Sequence, residues 1–283
     1  MMSLVQEEGD IMRPAQHLIV AGNGRTTIAC LDKLLATPSR LEITIFGAER
    51  YCAYDRAALP AYLAGQRTLD SLFLRGLDWY QERGIGVHLG TALLDIDLES
   101  RTVTAEDGFE LSFDKLLLAT GSVPELPAIP GLDNYGICTL ETLDGARHVA
   151  SLAKPGRSAV VIGETAYARE LTSALTIRGC DTRRVPKAEA ILGEGQVRGV
   201  LAGGETIPAS FVVIAAGVHP NIHLARRMGL QIGRNGILAD NDWRTSHPAI
   251  LAAGSCAELR SPPLIPDAGL RHVQTAKYPG SLP

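Results

Sequence analysis

Residues Gln16–Leu35, QHLIVAGNGRTTIACLDKLL, decide the fold. His17–Ala21 is a short apolar run, Gly22 and Gly24 make a glycine turn, and Ile28, Leu31, Leu34 and Leu35 then recur at helical spacing. Strand, Gly-x-Gly turn and helix together open a dinucleotide-binding βαβ unit. The chemistry suits a phosphate ligand. Gly22 permits a tight turn, Gly24 removes the Cβ that would keep the backbone from a pyrophosphate, and the helix N-terminus offers free N–H groups and partial positive charge. The third small position of the pattern is Thr27, larger than the usual Gly or Ala.

Outward from this unit, LEITIF at 41–46 is a β-branched strand; Gly47 occupies the place of a ribose-binding carboxylate, and Glu49 follows two residues later. A ribose ligand and an exposed loop carboxylate are equal readings of Glu49. Residues 50–84 form a helical excursion with Leu72, Leu74, Trp79 and Tyr80 as its expected buried side chains. A strand at 85–89 and a meander at 92–97, 101–105 and 110–112 come next, with Asp107-Gly108 as a hairpin signal. KLLLAT at 115–120 reads as a strand buried on both faces, and the proline-rich SVPELPAIPG after it marks a domain crossing.

A second strand-turn-helix follows: SAVVI at 158–162, the turn Gly163-Glu164-Thr165, and a helix at 166–178. Only one glycine of that turn survives, with Thr165 at the second position and Ala168 at the third. A Cβ at Thr165 crowds a pyrophosphate lying on the turn. The eleven residues CDTRRVPKAEA after Gly179 leave room for a second strand only as a stub, and for no crossover helix with a further parallel strand. A second meander, a buried strand at 211–215 and a short one at 236–239 follow.

Composition narrows the class. The chain has 283 residues, 46% hydrophobic and 20% charged, with a net charge of −4. That balance suits two folded domains and gives no electrostatic reason to expect nucleic acid or an anionic membrane as partner. No apolar run reaches membrane-spanning length. Residues 1–14 read as a loose leader without an export signal. Five scattered cysteines form no C-x-x-C pair, and the histidines lack metal-ligand spacing, so no metal is expected and a reducing cytoplasm fits.

In order, AGNGRTTIACLDKLL, ITIFGAERYCAYDRAALPAYLAG, DKLLLATGSVPELPAIPG, AVVIGETAYARE, VVIAAGVHPN and GILADNDWRTSHPAILAAGSCAE resemble the FAD-dependent pyridine nucleotide–disulfide oxidoreductase superfamily. The likeness is to the flavin part of NAD(P)H nitrite reductase large subunits and to rubredoxin or ferredoxin reductase-like proteins. It spans residues 16–259. The fold it implies is α/β with two Rossmann-like domains and β-meanders, the second domain shortened. The FAD-binding domain would be discontinuous, 15–125 plus 245–283, with an NAD(P)H-type domain at 126–244.

The resemblance also implies roles. Gly22, Gly24 and Thr27 would hold the FAD pyrophosphate, and Glu49 and Arg56 would contact its adenosine or phosphate side. Backbone near Leu93 would face the adenine. Ala119, Thr120 and Gly121 would return the chain to the flavin wall, and Gly254 and Ser255 would meet the ribityl and phosphate end. Ser255 stands where the family carries a carboxylate. Gly163, Thr165 and Ala168 mark a degenerate NAD(P) site that reads better as a plain βα turn, which leaves NAD(P)H use in question. The implied function is FAD-dependent electron transfer from NAD(P)H to a redox partner protein. The reading from another class is a non-catalytic remnant that binds a flavin or adenine nucleotide. No catalytic acid, base or nucleophile is demanded by the flavin reaction.

Overall fold

The computed structural model describes residues 15–36 and 40–260. The expected leader and the tail beyond residue 260 lie outside them. The first unit is built on a five-stranded parallel sheet in the order Ile250–Ala252, Lys115–Leu118, Gln16–Ala21, Leu41–Gly47, Gly86–Leu89. Its central strand is apolar on both faces because one face carries the helix Arg25–Leu34 and the other the meander Leu93–Asp97, Thr102–Ala105, Glu110–Ser112. Leu18, Val20, Ile28 and Leu31 fill the helix side, and Ile19, Ala21, Phe46 and Val103 the meander side. The alternation along Leu18–Ala21 is the period of two read as a buried run.

The second unit repeats the plan on a smaller scale. Its four parallel strands run in the order Asp181–Val185, Ser158–Ile162, Phe211–Ile214, Ile137–Cys138. The helices Leu143–Leu152 and Ala166–Ile177 cover one face, and the antiparallel meander Ala190–Leu192, Gly199–Ala202, Glu205–Pro208 covers the other. The expected stub after Gly179 is corrected: Asp181–Val185 is a full strand, parallel to Ser158–Ile162 over all five residues. Among the described residues no further strand pairs beyond it, so it is the bare edge of the sheet.

Outbound and return crossings pair with each other, Ser122–Pro124 antiparallel to Val218–Pro220. After the return, Ala225, Leu230, Ile237 and Ala239 are buried among first-unit side chains such as Ile19, Phe46 and Leu116. The chain is therefore back in the first unit earlier than residue 244. The excursion behaves differently from a surface insertion. Tyr54, Leu59, Leu63 and Leu72 enter one buried cluster with Leu140, Leu143, Val149, Leu171 and Leu175 of the second unit. Leu72 and Tyr80 are buried as expected, whereas Leu74 and Trp79 are only partly so.

Candidate functional site

Three segments converge on the N-terminal end of the helix Arg25–Leu34. Gly22 has φ +111°, and a Cβ on it would come within 3.0 Å of the Ala119 carbonyl oxygen, so the turn and the end of the neighbouring strand touch through bare backbone. A Cβ on Gly254 would strike Thr26 in the first turn of the helix. One on Gly121 would stand 4.0 Å from the Ser255 hydroxyl, which is exposed. The structure thus brings Gly22, Gly24, Ala119, Thr120, Gly121, Gly254 and Ser255 to one place. The Thr120 hydroxyl donates to the Asn221 carbonyl at 2.7 Å, and the Asn221 N–H returns a bond to the Gly121 carbonyl. Those two bonds tie the return crossing to the site.

Gly24 meets nothing within 4 Å of its missing Cβ, and no side chain among the described residues caps the helix it starts. The leading N–H groups of the helix therefore face an open cradle, the arrangement that suits a pyrophosphate. Beside it, the Asn23 amide accepts from the Tyr80 hydroxyl at 3.0 Å while its own Nδ2 is buried without a partner. A buried donor left over next to an anion cradle fits a ligand that accepts hydrogen bonds. The residues present fit FAD.

Thr27 lies behind the turn. It is fully buried, and its hydroxyl donates to the Gly22 carbonyl at 2.7 Å. It braces the turn from behind and satisfies an otherwise orphaned acceptor, which is why a residue larger than Gly or Ala is tolerated there. Leu93 is buried in the meander, in the same apolar cluster as Phe46.

Glu49 and Arg56 pair with each other at 2.6 Å, and the other Glu49 oxygen accepts from the Tyr54 hydroxyl at 2.6 Å. Tyr54 in turn accepts from the Leu143 N–H, the first residue of a second-unit helix. Burial, then the Glu49 contact, pushes the Tyr54 phenol far up. Both carboxylate oxygens of Glu49 are thus engaged in the seam between the units.

That seam holds a cavity of about 300 Å³, lined by Arg56, Ala57, Ser122, Glu141, Thr165, Tyr167, Ala215, Gly217 and Val218. The Tyr167 hydroxyl is occupied by the Leu140 carbonyl. Glu141 was not singled out from the sequence. Its Oε2 is buried with no hydrogen-bond partner, and burial raises its pKa against the lowering effect of Thr139, backbone N–H groups and Arg56. Nothing in TLETLDG distinguishes it from a helix-leading carboxylate.

At the second turn Gly163 repeats the geometry of Gly22: φ is +148°, and a Cβ would meet the Ala215 carbonyl under 3.0 Å. Thr165 does not repeat Gly24. Its hydroxyl oxygen accepts the Ala168 N–H at 3.0 Å and so caps the helix, while the Arg184 guanidinium donates to the Gly163 carbonyl at 3.0 Å. One N–H that could face a second pyrophosphate, that of Ala168, is thus taken within the protein, and the Thr165 side chain stands where Gly24 leaves the first turn open. Among the described residues no group of His, Cys, Asp and Glu is arranged to hold a metal ion.

These features have known counterparts. The pattern of the pyridine nucleotide-disulphide oxidoreductase family matches residues 16–195 and again 164–280. An assimilatory nitrate reductase electron transfer subunit of Bacillus subtilis (strain 168) is 31% identical over 86% of this chain, which spans 36% of that subunit. The biphenyl dioxygenase system ferredoxin–NAD(+) reductase component of Paraburkholderia xenovorans (strain LB400) is 33% identical, with 85% of this chain and 67% of that protein covered. Among solved structures, the putidaredoxin reductase in its covalent complex with putidaredoxin superposes with a TM-score of 0.79 at 25% identity, covering 88% of this chain and 70% of that one. A family match that runs through nearly the whole described chain, with relatives of 31–33% identity beside it, has one reading: the chain belongs to the FAD-dependent pyridine nucleotide-disulphide oxidoreductase family.

Proposed function

We propose that this chain is a flavin oxidoreductase module that takes electrons from a reduced nicotinamide and passes them to a redox partner protein. The observation that carries the reading is the open cradle at Gly24, with the backbone of Gly22, Ala119–Gly121 and Gly254-Ser255 gathered around it. The similar proteins, one named an electron transfer subunit and the other a ferredoxin–NAD(+) reductase component, support it.

Bound FAD supplies the redox chemistry, accepting a hydride equivalent and releasing electrons one at a time. The protein's own work is holding and shielding. Gly22, Gly24 and the first turn of the helix would take the pyrophosphate, with Thr27 keeping the turn rigid through the Gly22 carbonyl. Ser255 and Gly254 would sit at the ribityl end, where a neutral hydroxyl replaces a carboxylate as hydrogen-bond partner. Arg56, fixed by Glu49, and the walls Ala57, Ala215 and Val218 shape the chamber between the units, where the donor would approach. The free cysteines suit a reducing cytoplasm.

The test is the visible spectrum of the purified chain, followed by anaerobic titration with NADH and NADPH. A flavin spectrum that bleaches is the expected result. A colourless preparation that takes up no added FAD would overturn the proposal.

A further inference from the structure

The two βα units of this chain can be compared position by position where the strand after the helix ends. In the first, the Gly22 N–H donates to the Phe46 carbonyl at 2.8 Å, and in the second the Gly163 N–H donates to the Val185 carbonyl at 2.8 Å. Val185 therefore stands in the place of Phe46, and Ala188 in the place of Glu49. In a unit of this kind a carboxylate near that strand end takes the hydroxyls of the adenosine ribose, and a guanidinium there takes a 2′-phosphate instead. The second unit has no carboxylate from residue 182 to residue 188, and it carries Arg183, Arg184 and Lys187 in that stretch.

The acids on either side are placed elsewhere. Asp181 pairs with Ser158 where both strands begin, at the far end of the sheet from the turn. Glu189 accepts the Gly204 N–H of the meander at 3.2 Å, and Glu164 belongs to the turn itself, ahead of the helix. The cations divide between the two faces of the strand. Arg183 is taken on the meander side by Glu205, in a bidentate ion pair of 2.7 and 2.8 Å. Arg184 points to the opposite face, and its Nη1 donates to the Gly163 carbonyl at 3.0 Å, which holds the guanidinium against the glycine turn. The other N–H groups of Arg184, and the exposed Lys187 ammonium, have no protein partner among the described residues.

The geometry points to selection of the electron donor by a phosphate on its adenosine ribose. Arg184, with Lys187 three residues on, binds the 2′-phosphate of the phosphorylated nicotinamide dinucleotide, and the strand end offers the unphosphorylated one no carboxylate for its ribose. Thr165 adds to the bias. By occupying the Ala168 N–H it leaves the second turn less to offer a pyrophosphate than the first, so charge-assisted contacts at the strand end carry a larger share of the affinity. This inference rests on the flavin reductase reading above, and it names which of the two nicotinamide donors this chain takes.

Calorimetric titration of the purified full chain with NADP+ and, separately, with NAD+ tests it without turnover. NADP+ is expected to bind about tenfold more tightly or better, the difference made by one charge-assisted contact. Arg184→Gln keeps a donor for the Gly163 carbonyl and removes the charge. It should weaken NADP+ by about tenfold and leave NAD+ within about twofold of the wild type. Lys187→Ala should weaken NADP+ alone, by about threefold, as suits an exposed cation. Equal affinity for the two nucleotides, tighter binding of NAD+, a loss in Arg184→Gln shared equally by both, or binding of neither would each overturn the inference. Flavin content, read from the spectrum of the same preparation, reports separately on the reductase reading. A yellow chain without the preference sinks the inference alone, and a colourless one that takes up no FAD sinks the reading.

Discussion

Gly22 and Ala119 touch backbone to backbone, with no room between them for even one added carbon. Gly163 and Ala215 make the same contact in the second unit. In each unit, the glycine turn that leads into a helix is set directly against the end of the strand beside it.

This separates the two glycines of the first turn experimentally. Gly22→Ala places a methyl against the Ala119 carbonyl at a backbone conformation that favours glycine, and should cost about 3 kcal/mol or more of stability. Gly24→Val meets nothing in the protein, so the variant should melt near the wild-type temperature and yet hold no FAD. Thermal denaturation and flavin absorbance on the two variants distinguish these outcomes; wild-type flavin content in Gly24→Val would remove the pyrophosphate from the turn.

Thr27→Val keeps the shape of a fully buried side chain and deletes only its donor to the Gly22 carbonyl. The expected loss is about 1–3 kcal/mol in urea denaturation, from the acceptor left unsatisfied. Flavin should also be released more readily, since the turn it braces is then looser.

Glu141 gives the stability a pH dependence of known sign. Burial raises its folded pKa above the ordinary 4.5, so the folded chain holds the proton more tightly than the unfolded one. The contribution is fully present below 4.5 and is lost as pH climbs through the raised value. Relative to Glu141→Gln, the wild type should therefore lose stability as the medium moves from acid toward neutral. Denaturation midpoints across that span check it, and parallel curves for the two proteins would contradict it.

Arg178 spans the seam, donating to the carbonyls of Leu63, Ala150 and Ala153 at 3.2–3.3 Å. Arg178→Ala strands these acceptors at the contact between the excursion and the second unit. A loss of about 2–3 kcal/mol is expected, together with faster hydrogen exchange in Leu59–Leu63.

Much of this was legible in the sequence because it is local. The first glycine turn, the crossing prolines and the terminal Gly-Ser each declare their backbone geometry in residues a few positions apart. Asp181–Val185 was misread for a physical reason: as an edge strand it buries only Val185, and its Asp and two Arg side chains look like loop. The role of Thr27 is not legible because its partner is a backbone carbonyl, invisible in a list of residue types. Glu141 could not be found at all. It lies with Arg56 and Thr165, residues remote in sequence that only the fold brings around one chamber.

The buried cluster that Tyr54, Leu59, Leu63 and Leu72 share with the second unit has a last consequence. Although the inserted unit has its own sheet, it is not a cassette. Excised at the crossings, it would expose the faces of Leu143, Val149, Leu171 and Leu175 that the excursion now covers, and the remaining chain would carry a greasy protrusion with nothing beneath it. The two halves should accordingly melt in one transition, and a shuffled or transplanted version of either would have to bring residues 54–72 along.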